Sequence, residues 1–144
     1  MKKLIVLALF LPIISKAQFT IVNTSTINLV ELRTGGAWPI TLQRVIKESD
    51  TSYVLQFRDQ QTTNDVIMTT LRFPNMEQVK YFQKALSALK KGSTGDVAKF
   101  KDYTIKRLDV KREGTTYVIN CGAGTTTNFQ QDEADKLIAA VINL

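Results

Sequence analysis

The sequence predicts an α+β domain: a curved antiparallel sheet built from four strands, a helix, two or three further strands and a second helix, with both helices packed on one face. Three observations carry the prediction. Apolar residues recur with a period of two between Thr26 and Phe73, then at spacings of three and four from Asn75 to Lys91, and after Tyr103 the same succession returns in shorter form. Runs of strands followed by helices, rather than strict βα alternation, favour an antiparallel sheet over a parallel one. Identity between the two halves is too low to establish a duplication.

The chain opens MKKLIVLALFLPIISKAQF. Lys2 and Lys3 precede an apolar run from Leu4 to Ile14, and small residues Ser15 and Ala17 close it, the layout of a secretory signal peptide cleaved between Ala17 and Gln18. A membrane-spanning helix needs about 20 apolar residues, and this run is shorter. The competing expectation is a buried N-terminal strand of a cytosolic domain. On the export reading, residues 1–17 leave and residues 18–144 form one soluble domain, about 127 residues around a single core. The formal charge of +6 then shrinks, because Lys2, Lys3 and Lys16 leave with the leader. The mature balance of 16 basic against 13 acidic residues is +3, which bears on solubility and encounter more than it names a partner.

The first strands are Thr26 to Arg33 and Ile40 to Glu48, separated by the turn residues Gly35, Gly36 and Pro39. In SYVLQFRD, Tyr53, Leu55 and Phe57 share one face and Gln56 and Arg58 the other. Asp65 to Phe73 makes the fourth strand. The first helix begins at an Asn75 N-cap, carries Met76, Val79, Phe82, Leu86 and Leu89 in one stripe, and ends at Lys90, Lys91 and Gly92. YTIKRLDVKRE and TTYVINC then flank Gly114 as a hairpin. QQDEADKLIAAVINL closes the chain as a helix whose early acids, Asp132, Glu133 and Asp135, suit the positive end of its dipole. Within YTIKRLDVKRE, Ile105 is out of phase with Leu108 and Val110, which predicts a bulge near Lys106 and Arg107.

The stretch VINCGAGTTTNF invites a catalytic reading and does not support one. A P-loop requires a Lys after its last glycine, and none follows Gly124. A Gly/Thr loop ahead of a capped helix can hold an anion, but a plain turn accounts for the glycines. Cys121 is the only cysteine, so no internal disulfide forms, and burial is its ordinary fate. The chain has no histidine, which removes Cys-His and Ser-His-Asp catalysis and imidazole-based zinc sites. Among the carboxylates, Asp109 alone lies between apolar strand neighbours, and cross-strand pairing with a Lys or Arg explains it. No residue is nominated as catalytic, and nothing implies a cofactor or a metal.

The basic stretch from Lys99 to Arg112 interleaves Phe100 and Tyr103 with six cations, a pattern able to grip single-stranded nucleic acid by charge and stacking. A solvated face guarding a sheet edge gives the same pattern. A four-strand-plus-helix unit ending in FQQDEADKLIAAVINL resembles the layout of PC4-like and Whirly single-strand-binding domains, with no diagnostic motif, and implies nucleic-acid binding that an export leader opposes. Trp38, in GGAWPI, is either core or an exposed anchor. The expectation drawn from these residues is an exported protein that binds, without catalysis, a protein or polymer outside the cytoplasm. Trp38, Tyr103, Lys106, Arg107 and Lys111 form its contact surface. Single-stranded nucleic acid is the first rival ligand, a carboxylate-dependent hydrolase of cell-wall sugar the second, and self-association into a homo-oligomer stays open.

Overall fold

In the computed structural model, which describes residues 23–32, 39–58, 68–112, 114–122 and 126–144, strands and helices follow the order ββββα twice. The first half comprises β1 (Thr24–Leu32), β2 (Ile40–Lys47), β3 (Asp50–Arg58), β4 (Met68–Phe73) and α1 (Met76–Lys91). The second comprises β5 (Val97–Lys99), β6 (Thr104–Val110), β7 (Gly114–Asn120), β8 (Thr126–Gln130) and α2 (Gln131–Ile142). The α+β class is as expected. The strands divide between two antiparallel sheets, A with order β1-β2-β3-β4 and B with order β5-β6-β7-β8. Two strands beyond the minimum expected appear after α1. β5 has three residues, too few to show a period, and β8 carries a single large apolar residue, Phe129.

Local rules place the elements. The Asn75 side chain accepts a hydrogen bond from the Gln78 N–H at 3.0 Å, satisfying one orphan donor of the first turn of α1. Gly92 ends α1, its N–H donating to the Leu89 carbonyl at 3.0 Å. At α2 the reciprocal bond runs from the Gln130 N–H to Glu133 Oε2, 2.8 Å. Gly114, at φ +80°, allows β6 to turn back into β7.

The inner faces of the sheets and the stripes of both helices meet in one core, which includes Leu42, Leu55, Phe57, Phe82, Leu86, Ile105, Tyr117, Ile119, Phe129 and Leu137. Phe57 of sheet A meets Phe129 of sheet B edge to face, ring centroids 5.5 Å apart, so the sheets are joined by an aromatic contact as well as by the helices. β6 carries no bulge against β7, with which it pairs without interruption from Thr104↔Asn120 to Val110↔Gly114; on its other edge Arg107 exchanges backbone hydrogen bonds with two residues, Gly95 and Asp96, the two-against-one pattern of a bulge, with Gly95 at φ +94°. Leu108 and Val110 lie on the outer face instead, and Arg107 and Asp109 continue the inner face from Ile105. A further irregularity falls in β1, between Asn28 and Val30.

The halves are related position by position. In sheet A the register sets Arg44 opposite Tyr53 and Tyr53 opposite Phe73; in sheet B it sets Arg107 opposite Tyr117 and Tyr117 opposite Phe129. Val79, Phe82 and Leu86 follow the cap Asn75 at the same intervals at which Ala134, Leu137 and Val141 follow Gln130. α1 packs on α2; it touches β3 and β4 of its own half and β5 and β6 of the other, while α2 touches β7 and β8 of its own half and β1 of the other. Exchanging the halves leaves this scheme nearly unchanged, as a pseudo-twofold arrangement requires.

Candidate functional site

Alternation along β6 decides what each residue of the basic stretch can do. Arg107 shares the inner face with Ile105, and its guanidinium reaches the C-terminal end of α1. Its Nη1 donates to the carbonyls of Leu89 (3.0 Å), which also accepts from the Gly92 N–H, of Lys90 (2.7 Å) and of the cap residue Gly92 (2.7 Å), at the end where helix carbonyls lack intrahelical donors. Its Nε donates to Asp109 Oδ1 at 3.2 Å. A cation at the negative end of a helix also answers the macrodipole. Arg107, with a side chain only 15% exposed, is thus a strut between β6 and α1.

Asp109 belongs to the same cluster. The Thr115 hydroxyl donates to its Oδ1 at 2.8 Å, and its own N–H donates to Thr94 Oγ1 at 3.0 Å. The Thr115 hydrogen bond first, then Arg107, holds the carboxyl below the usual carboxylate value. The expected cross-strand cation is therefore corrected: the partner across the strands is Thr115, and the cation lies two residues away on β6 itself.

Tyr103 stacks on Phe100, centroids 4.3 Å apart and 12° from parallel, and lies within 6.5 Å of Phe73 and 6.2 Å of Phe82. Burial, with Cys121 and Asp102 nearby, drives its phenol well above the ordinary tyrosine value. The aromatics of the basic stretch thus fill the margin of the core rather than standing on an open sheet face. Tyr117, fully buried, donates its hydroxyl to Gln131 Oε1 at 2.7 Å, and burial raises its phenol as well.

Lys106 is on the outer face of sheet B, exposed, in the row Val97↔Lys106↔Val118↔Asn128, with Leu108 and Val110 further along β6. Lys111 is exposed in the turn after β6. Trp38 lies outside the described residues. The structure thus brings Lys106 and Lys111 to accessible positions and sends Tyr103 and Arg107 inward. The loop after Cys121 does not lead into a helix, because β8 intervenes before α2; the geometry imagined for an anion at a helix start is not present there. Cys121 is half-buried against the core.

Sequence reasoning passed over Arg44, although a signal was there: in ITLQRVIKE it shares the phase of Ile40, Leu42 and Ile46, so a cation sits on the apolar side of a strand. Between the helices, a groove of about 600 Å³ is lined by Ser87, Lys90, Ile138, Ala139 and Ile142 among others, with the 2.7 Å ion pair Lys90–Asp135 at its wall. Among the described residues no helix is long and apolar enough to cross a membrane, and no group of three or more Cys, Asp or Glu side chains is placed to hold a metal ion.

The architecture defines a mixed α+β protein with an internal ββββα repeat. No protein-family model, no curated protein and no solved structure matches the chain.

Proposed function

We propose that the chain is an exported protein with a non-catalytic binding role, whose partner is a protein or polymer outside the cytoplasm. In this reading the outer face of sheet B around Lys106, together with Lys111 and the segment carrying Trp38, makes the contact. One observation carries it: the groups of the basic stretch with the strongest chemistry are each engaged within the chain, Arg107 and Tyr103 by packing against the core and the exposed Asp109 by hydrogen bonds from Thr115 and Arg107, while Lys106 stands outward beside half-buried Leu108 and Val118. A cation next to partly covered apolar side chains suits recognition better than bond cleavage. The leader-like start supports export.

The test is to recover the protein from its native compartment, sequence its N-terminus and identify what copurifies. A first residue of Gln18 and a partner lost in the Lys106→Glu, Lys111→Glu double variant support the proposal. A chain in the cytosol beginning with Met1 refutes export, and a partner retained by the double variant refutes the surface. A second reading, single-stranded nucleic-acid binding, is favoured by the four-strand-plus-helix unit occurring twice, and opposed by Phe100 and Tyr103, which stack on each other at the margin of the core instead of standing open on a sheet face. A salt-sensitive mobility shift with a single-stranded oligonucleotide identifies it.

A further inference from the structure

The pseudo-twofold relation makes Arg44 and Arg107 the same position in two copies of one unit, and their surroundings differ in a telling way. Each arginine faces a tyrosine across the strand pair, and each tyrosine faces a phenylalanine. Two residues further along β6 stands Asp109, which accepts from Arg107 Nε; two residues further along β2 stands Ile46. The three carbonyls that receive Arg107 Nη1 have no counterpart around Arg44 among the described residues, and α2 carries no basic residue in its last turn. Among the described residues, Arg44 Nε is buried and has no hydrogen-bond partner.

A buried guanidinium N–H without an acceptor is costly, and β2 would hold Ile46, Leu42 and Ile40 inward equally well with an apolar residue at position 44. We propose that Arg44 is the anchor of a binding site for a carboxylate group carried by a ligand, whose oxygen takes at Arg44 Nε the place that Asp109 Oδ1 takes at Arg107 Nε. The atom left without a partner on Arg44 is the atom through which Arg107 holds its carboxylate, so the missing group is identified by chemistry and not only by charge. A guanidinium fork presents Nε and an Nη side by side to a carboxylate, which favours two parallel hydrogen bonds. Arg44 is half-buried and lies on the inner side of sheet A; its Nε has no surface of its own open to solvent, so the carboxylate reaches it by a turn of the partly exposed side chain. The site is separate from the outer-face surface around Lys106, and its failure would leave that proposal standing.

The experiment follows the arginine Nε–H signals of the full-length mature protein by nuclear magnetic resonance during titration with sodium acetate, with chloride at matched ionic strength as the reference and inorganic phosphate as a second probe. The Arg44 signal, identified by its loss in Arg44→Met, moves and saturates with acetate, and the Arg107 signal does not move. Ile46→Asp supplies the carboxylate from within; its Arg44 signal starts displaced and no longer responds to acetate. Arg44→Met keeps or raises the thermal midpoint in acetate-free buffer, where Arg107→Met lowers it. An Arg44 signal that responds to acetate only as it does to chloride overturns the site, as does an unaltered acetate response in Ile46→Asp. Saturation by phosphate without saturation by acetate overturns the carboxylate assignment.

Discussion

Replacing Arg107 with methionine tests how far one side chain binds the two halves together. Methionine keeps most of the aliphatic stem, so the change removes hydrogen bonds and charge with little loss of packing. Nη1 bears two hydrogens shared among three carbonyls at 2.7 to 3.0 Å, and Nε adds a bond to Asp109. Hydrogen bonds to a charged group contribute about 1.5 to 3 kcal/mol each. The Lys90 carbonyl belongs to an exposed residue and regains water when the arginine leaves, as does Asp109, which cancels part of the sum. The expected loss is about 2 to 4 kcal/mol. In a protein of this size that lowers the thermal midpoint by roughly 10 °C, read by circular dichroism and by urea denaturation. Arg107→Lys keeps the charge but not the fork, and should recover less than half of the loss. A loss below about 0.5 kcal/mol for Arg107→Met, within the range of ordinary surface substitutions, would refute the role assigned to it.

Three further outcomes are expected. Asn75→Ala removes the acceptor of the Gln78 N–H and should cost about 1 kcal/mol in urea denaturation, whereas Gln78→Ala, which leaves that backbone bond intact, should cost less. Glu48 holds φ at +56° in the turn between β2 and β3; relief of about 1 to 2 kcal/mol, offset by the backbone freedom glycine adds to the unfolded chain, makes Glu48→Gly stabilising by about 0.5 kcal/mol, and a destabilised variant would contradict the strain. Tyr103 and Tyr117 both ionise less readily folded than unfolded, so the stability they contribute is complete below the unfolded value of about 10 and is lost as pH rises above it. Urea midpoints measured from pH 8 to 11 should fall less steeply in Tyr103→Phe than in the unaltered protein; equal slopes would show that Tyr103 is not protected.

What could be read from the residues follows from how local each feature is. α1 announces itself within its own span: Asn75, the stripe Val79, Phe82, Leu86, Leu89 and the closing Gly92 agree with the structure residue by residue. β5 and β8 are held by their neighbours rather than by their own pattern; Val97–Lys99 becomes a strand because β6 offers it a paired edge. The phase of β6 was misread because Leu108 and Val110 look like core residues, while the inward position goes to Arg107, whose purpose appears only when the end of α1 is beside it. The internal repeat was hidden because the connections differ in length. Nine residues separate Arg44 from Tyr53 and ten separate Arg107 from Tyr117, but the next step is twenty residues to Phe73 against twelve to Phe129. Only register restores the correspondence. Of the contact residues expected, Lys106 and Lys111 are exposed, and the inward turn of Tyr103 and Arg107 depended on partners far along the chain.

The contact of β1 with α2 joins the earliest and the latest described elements. During synthesis the apolar side of the first sheet therefore emerges long before the helix that finishes its cover. Until then it offers strand edges and bare aliphatic side chains to anything nearby, a window in which a growing chain is prone to stick to its neighbours. A holding chaperone would close that window, and destabilising α2 would widen it even where the finished molecule remains stable.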